Sequence, residues 1–423
     1  MEQLYAIRVG KIIATIREEG WAFIFICTYL FLEYVRPQTI YPVIDVIPWA
    51  VVILLLSSVA ALRGSDFKAQ PNILNKLMVC YSLVVLLSSI FSTYPSVSLS
   101  RLRVFFDWFL VYFLIVLIVT NEKRFFIFLL SFLLYSFKMS QHGFLSWAKR
   151  GFAYTDWGVT GAPGWFHNSG EVGIQMCIFT PLAIAFFLAI YKYLSKPKIL
   201  FFLLMPFTGI ATAIASSSRG ALVGLAVAGI RPLLIKPRFF FISLITLSVV
   251  VLVTITFIPD ESKQRFSSAG TDRTSLHRLE RWSDGLDAMQ QNPVLGIGFE
   301  AWSKYYPAHY VLEDEGTFLV HNIFVQCGSE LGYTGLGIFL WMIIACFAST
   351  RRVRKLSRGQ DDQFLAIMSY GFDAALLGYI GSGFFVTVQY YPYFWIHCAM
   401  TVCLSSVAQK KYLRHGCYLE VNA

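Results

Sequence analysis

Long apolar runs with few or no charged residues recur along the whole chain, and no other feature limits its fold as much. They lie near 21–35, 42–62, 73–92, 102–120, 125–139, 170–191, 198–215, 220–235, 239–258, 321–349, 363–385 and 391–408. A hydrocarbon layer ~30 Å thick is crossed by about 20 such residues in a helix. No water is present there to satisfy a backbone left outside a helix or a closed barrel. The expected fold is an all-α polytopic membrane protein with about 12 transmembrane helices. Composition agrees, since 56% of the 423 residues are hydrophobic and only 14% charged, against about 25% charged in soluble proteins.

The net charge of +10 could suggest a nucleic-acid partner, but the placement of the charges argues against one. An even number of spans puts both termini on one face. With that face assigned to the cytoplasm, 22 of the 35 Lys and Arg fall in the N-terminal segment and in the loops near 63–76, 121–124, 192–198, 231–238, 351–358 and 409–415. Short basic loops such as Arg351-Arg352-Val353-Arg354-Lys355 follow the positive-inside rule. The excess is therefore topological; membrane lipids are expected as partners and nucleic acid is not. The cysteines are scattered, mostly within spans, with no paired spacing, and read as small buried apolar residues. Residues 1–19 show no cleavage pattern, so the first span reads as an anchor.

Four regions follow from this layout. Residues 1–139 are a transmembrane scaffold of five spans. Residues 140–258 hold an aromatic outer loop and spans six to nine. Residues 259–320 form a large outer segment between spans nine and ten. Residues 321–423 hold the last three spans and a cytoplasmic tail. In the scaffold, Arg101 and Arg103 open the fourth span and are read mainly as snorkelling to headgroups. The loop at 140–169 carries Phe144, Trp147, Phe152, Tyr154, Trp157, Trp165 and Phe166, which suit an interfacial belt or flat faces for sugar rings. Glu171 just inside the next span demands a partner or a cavity. His397 in the last span reads as a satisfied packing histidine.

Three stretches bear chemistry. Ser216-Ser217-Ser218-Arg219-Gly220 joins two spans, with serine hydroxyls expected around a guanidinium that binds phosphate or caps a helix. An amphipathic helix is expected over about 275–290, ended by Asn292-Pro293. Its stripe of Leu276, Leu279, Trp282, Leu286 and Met289 would lie on the membrane or on the spans. Arg278 and Arg281 are offset from that stripe, and Arg265 and Arg273 precede it. Gly296-Ile297-Gly298 reads as a compact turn. Lastly, His321-Asn322 stands at the lip of a span, followed by Gly328, Gly332 and Gly335, which let a neighbouring helix come close. A histidine at that level has a pKa open to tuning for proton transfer, and Glu313-Asp314-Glu315 precedes it. No ligand cluster, nucleophile elbow or phosphate loop is present in the sequence. Arginines around a possible base suit a substrate that brings its own pyrophosphate.

The chain resembles the O-antigen ligase and polymerase superfamily, most closely the ligases. The likeness rests on Ser217-Ser218-Arg219-Gly220, on Arg278-Leu279-Glu280-Arg281-Trp282 with Pro293 and Gly296-Ile297-Gly298, and on His321-Asn322 followed after nine residues by Gly332 and then Gly335. It covers roughly residues 165–385. The resemblance implies a GT-C-like glycosyltransferase of the bacterial inner membrane, with a periplasmic active site and no metal or other cofactor. It implies transfer of a polysaccharide from undecaprenyl diphosphate to a sugar hydroxyl of lipid A–core. His321 would be the base or would orient the acceptor, supported by Asn322. Arg219 and Arg278, and less directly Arg281 and Arg265, would hold the diphosphate. A polymerase, with Arg150 and Gly161 fitting a loose pattern, and a protein O-oligosaccharyltransferase share that donor. A secondary transporter fits the topology, but not the gathering of charge in one outer segment without a repeat.

Overall fold

A computed structural model describes residues 1–63, 71–155, 157–233, 273–310 and 319–416. The ninth apolar run, Arg265 and Glu313-Asp314-Glu315 lie outside them. Every regular element among the described residues is a helix. Those of eight residues or more are, in chain order, α1 (Val9–Glu18), α2 (Trp21–Tyr34), α3 (Trp49–Arg63), α4 (Ile73–Ile90), α5 (Pro95–Ile118), α6 (Glu122–Lys149) and α7 (Ser169–Ile190). There follow α8 (Lys196–Ala215), α9 (Arg219–Leu233), α10 (Arg273–Gln291), α11 (Trp302–His309), α12 (Ile323–Leu356), α13 (Phe364–Gly383) and α14 (Pro392–Gly416). Five, namely α4, α7 (with the turn that follows it), α8, α12 and α13, are long and apolar enough to cross a membrane. The protein is a polytopic helical membrane protein.

Boundaries move for local reasons. The second run starts at Trp49 because Pro42, Asp45 and Pro48 interrupt the stretch before it, each a poor interior helix residue. The fifth run continues to Lys149, past its expected end, and stops before Gly151 at φ +63°, a left-handed exit suited to glycine. Glu171 is accounted for at once. With Asn168 it forms a reciprocal capping box, Asn168 N–H donating to Glu171 Oε2 and Glu171 N–H to Asn168 Oδ1, both at 3.0 Å. That arrangement satisfies two orphan donors at the α7 N-terminus and offsets part of the burial cost of the carboxylate.

Helices α7 and α13 form the centre, with α9 laid against both. Small residues set these distances: a methyl on Gly378 would stand 2.5 Å from Cys177 O, and one on Gly224 would stand 2.8 Å from Gly378 O. Close backbone approach of this kind is how helices associate where lipid gives no hydrophobic drive. His397 packs its ring on Phe372, 5.3 Å between centroids. The expectation that it would be satisfied is only half met, since its Nδ1 has no hydrogen-bond partner among the described residues.

Helix α12 breaks at Gly332, where φ is +67°. A residue with a Cβ is strained in that region, and a Cβ here would also meet Val294 at 2.6 Å. The break strands backbone groups that the segment after α10 satisfies. Tyr333 N–H donates to Pro293 O (2.8 Å), Ile297 N–H to Ser329 O (2.9 Å) and Gly298 N–H to Glu330 O (3.1 Å). Two expectations are corrected by this. Residues 296–298 are a backbone splint for the kink, beyond a compact turn. Of the glycines, Gly332 makes the kink, Gly335 faces Leu331 of its own helix, and only Gly328 meets another helix, at Met289 of α10.

Candidate functional site

The site is built on the non-helical residues just before α12. His321 sits at φ +53°, a conformation uncommon for a residue with a Cβ, and it is held from several sides. Its N–H donates to Thr387 Oγ1 at 2.7 Å. Asn322 caps α12, Oδ1 accepting from Phe324 N–H (2.9 Å) and Val325 N–H (3.2 Å). Val320 O accepts from the Trp282 indole at 3.0 Å. Strain of this kind persists only where the surroundings over-determine it. Asn322 therefore supports His321 through the backbone, with its side-chain oxygen engaged in the cap.

Helix α10 brings the cations. Trp282, Ala288 and Met289 pack inward, and Gly285 lets Val325 of α12 come against the helix; Leu276, Leu279 and Leu286 remain about half exposed. The single five-residue stripe is thus split, with the three leucines on a second, half-exposed face. Arg278 and Arg281 stand seven residues, or two turns, before Gly285 and Ala288. They continue the packed face toward His321. Burial first, and then the charges of Arg278 and Arg281, push the His321 imidazole down to about 4 from its ordinary 6.5. The ring is neutral at pH 7 and can accept a proton, though as a weaker base than an unperturbed histidine.

Behind α10, α11 acts as a brace. Tyr306 OH donates to Asp284 Oδ2 (3.0 Å), and Tyr310 OH donates to Asp284 O (3.0 Å) and Asp287 Oδ2 (3.2 Å). Two acidic residues of α10, Asp284 and Asp287, are thus engaged by tyrosine hydroxyls. Burial raises Asp284 above its ordinary pKa, opposed by the Tyr306 hydrogen bond.

Arg219 opens α9, half-buried, after the sharp turn in which Ser217 takes φ +54°. The expected ring of serine hydroxyls is corrected in part. Ser216 Oγ donates to Ala213 O and accepts from Ser218 N–H, and Ser218 Oγ accepts from Ala221 N–H. Serine hydroxyls favour such local backbone bonds at helix ends. The aromatic loop lies over this turn: Val159 N–H donates to Ala215 O, and Trp147 and Tyr154 pack with Ile214. Trp165 is held by Glu33 Oε2, which accepts its indole N–H at 2.7 Å. Most of these aromatics are thus spent on packing, while Trp157 stays 84% exposed.

The residues that join these parts lie between α13 and α14 and carried no functional reading in the sequence. Phe385 is packed against Gly220 beside Arg219 and is ring-to-ring with Trp282 of α10 at 6.4 Å. Two residues on, Thr387 receives the His321 N–H, and Gln389 N–H donates to Gln326 Oε1 of α12. The one signal for them was a threonine and a glutamine in the short gap between two spans. The linker touches the turn that bears Arg219, the helix that bears Arg278 and Arg281, and His321 itself. Arg101 and Glu300 lie nearby as an ion pair at 3.6 Å, so Arg101 does more than snorkel.

Fold and site together define a membrane protein with a neutral histidine and arginines gathered where several helices end. Residues 200–340 match the O-antigen ligase family; that stretch includes Arg219, Arg278, Arg281, His321 and Asn322, while Phe385, Thr387 and Gln389 lie beyond it. The exopolysaccharide production protein ExoQ of Rhizobium meliloti (strain 1021) is 24% identical over 114 residues, 24% of this chain and 25% of that protein. The chain thus covers about a quarter of that relative's length. The protein is similar to the O-antigen ligase superfamily.

Proposed function

We propose that this protein is a glycosyltransferase of the O-antigen ligase type. It moves a polysaccharide from undecaprenyl diphosphate to a sugar hydroxyl of lipid A–core at the periplasmic face of the bacterial inner membrane. The proposal takes the expected twelve spans and four-region layout, with both termini cytoplasmic. The observation that carries it is His321, kept neutral beside Arg278 and Arg281 on a helix packed against its own span. In this reading Arg278, Arg281 and Arg219 neutralise the donor diphosphate, and Arg265 joins them from the outer segment. His321 accepts the proton of the acceptor hydroxyl as its oxygen attacks the anomeric carbon. The bond from that carbon to the diphosphate oxygen breaks, and undecaprenyl diphosphate leaves with the electron pair, its charge stabilised by the arginines. Bound diphosphate also offsets the cations that depress His321, so the base strengthens when the donor is in place.

The named relative favours a second reading, in which the same site lengthens an exported polysaccharide while the product stays on its lipid carrier. Gels of lipopolysaccharide and of lipid-linked glycan from a deletion strain separate the two. Bare core with long polymer still on the carrier supports ligation. Core carrying a single repeat, or loss of exported polymer with normal lipopolysaccharide, supports polymerisation and overturns the ligase assignment.

A further inference from the structure

At the opposite end of the bundle, where Arg354 and Lys411 lie, α1 leans across α6 and α8 and leaves a cavity of about 320 Å³. Its walls are almost wholly apolar, with Ile12 and Ile16 from α1, Ile127 and Leu130 from α6 and Phe202 from α8; its main charged group is Lys198. An open apolar groove of this kind offers water no hydrogen-bond partners and gains by being covered with hydrocarbon. Helix α1 is amphipathic: Val9, Ile12, Ile13 and Ile16 recur at three- and four-residue spacing, opposite Lys11 and Glu18, with Arg17 on the flank. Val9 and Ile13 are 66% and 46% exposed. A short helix of that pattern lies in the membrane interface with its apolar face among the chains.

The corner that closes the groove is fixed by a cation. Lys198 Nζ donates to Ala6 O at 2.7 Å, and the next residue, Ile7, takes φ +51° while lining the cavity. A β-branched residue there is a clear outlier, and such strain is found at ligand clamps. Arg8 and Lys11 open α1, and Lys192, Lys196 and Lys198 precede or open α8. Lys198 thus lines the apolar slot, and Arg8 stands in the chain between its lining residues Ile7 and Val9; a cationic edge on an apolar slot complements an anionic headgroup on a hydrocarbon chain.

We propose that this groove binds one acyl chain of an anionic phospholipid, with Arg8 and Lys198 at its headgroup, as a site separate from the His321 cluster. Native mass spectrometry of the full-length protein, titrated with palmitoyl-oleoyl phosphatidylglycerol or phosphatidylcholine, tests it. One phosphatidylglycerol is expected to be retained with a preference of at least about five-fold, the factor one surface cation provides. Leu130→Trp fills the slot and should abolish retention of that lipid, while Arg8→Gln should keep lipid binding and reduce the preference. Ile12→Ser, on the rim helix and only partly buried at the edge of the core, repeats the slot test away from the fully buried residues. Equal retention of both lipids, or adducts unchanged in Leu130→Trp and Ile12→Ser, would overturn the proposal. So would a dimer mass free of lipid, which would put a second copy in the groove, or displacement by inorganic phosphate alone, which would leave only a headgroup site.

Discussion

His321 is held in an environment that opposes its protonation, and this has consequences in pH. Its folded pKa of about 4 lies below the 6.5 of an unperturbed histidine. Between those values an unfolded chain takes up a proton that the folded one refuses. On this account stability is full above pH ~6.5, falls as pH drops toward ~4, and changes no further below that. Carbon-13 NMR of histidine-labelled protein should show the ring neutral until near pH 4. Arg281→Gln or Arg278→Gln should move the midpoint back toward 6.5, and so should added pyrophosphate if the arginines hold the donor. A midpoint already at 6.5 in the unaltered protein would remove the electrostatic coupling. In the transfer reaction, His321→Ala is expected to lose activity by about a hundred-fold or more, the contribution of a positioned general base, with an unchanged melting profile. Full activity in that variant would end the base assignment.

The kinked α12 shows how much of an element can hide behind a correct apolar pattern. The run at 321–349 announces a span, and its glycines announce a break in side-chain bulk. Which glycine bends the chain depends on backbone groups from residues 293–298, far off in sequence, and no periodicity carries that. The same limit applies to α10: the spacing of Leu276, Leu279 and Trp282 predicts a helix, but which side faces α12 is settled by Gly285 and Gly328 meeting Val325 and Met289. His321 and Arg278 stand out in the sequence as candidates because their chemistry is unusual at a membrane lip. Thr387 and Phe385 were not, since nothing in a threonine or phenylalanine between spans points to a distant partner. The kink makes a sharp pair of expectations. Gly332→Ala forces a Cβ into the left-handed region and against Val294, which should cost more than about 1 kcal/mol and impair transfer by shifting His321. Gly337→Ala lies in regular helix with nothing within 4 Å, and should be neutral or stabilise by up to about 1 kcal/mol. Thermal melts of both in one detergent decide it; equal effects would mean the break is not a fixed feature.

Across the whole molecule, the two ends are built on opposite principles. The His321 end gathers arginines and a neutral histidine, whereas the other end, beside its lysine-edged groove, holds a cluster of cations closed on carboxylates. Arg354 pairs with the buried Asp373 at 2.9 Å, Arg124 with Glu19 at 2.6 Å, and Lys411 with both Glu122 (2.7 Å) and Asp362 (2.6 Å). Tyr5 OH donates to those same two carboxylates. Four distant segments meet there: the N-terminus, the start of α6, the loop before α13 and the last turns of α14. Burial alone would raise the Asp362 carboxyl, but hydrogen bonds from Lys411 and from Phe364 N–H outweigh it and hold Asp362 below its ordinary pKa. A carboxylate with a depressed folded pKa contributes stability above its unfolded value, and that contribution is lost as pH falls through the folded one. Lys411→Met removes the cation and leaves Glu122 and Asp362 facing each other. Breaking a fully buried pair costs about 3–5 kcal/mol. These side chains are 16–32% exposed, so solvent screening reduces the expected loss to about 1–2 kcal/mol at pH 7. The deficit should shrink as pH falls toward 4, where protonation of either carboxyl relieves the repulsion, so the melting curves of the variant and the unaltered protein should converge in acid. A deficit independent of pH would show that Lys411 acts through packing of its stem, and the ends of the bundle would then be joined by contact and not by charge.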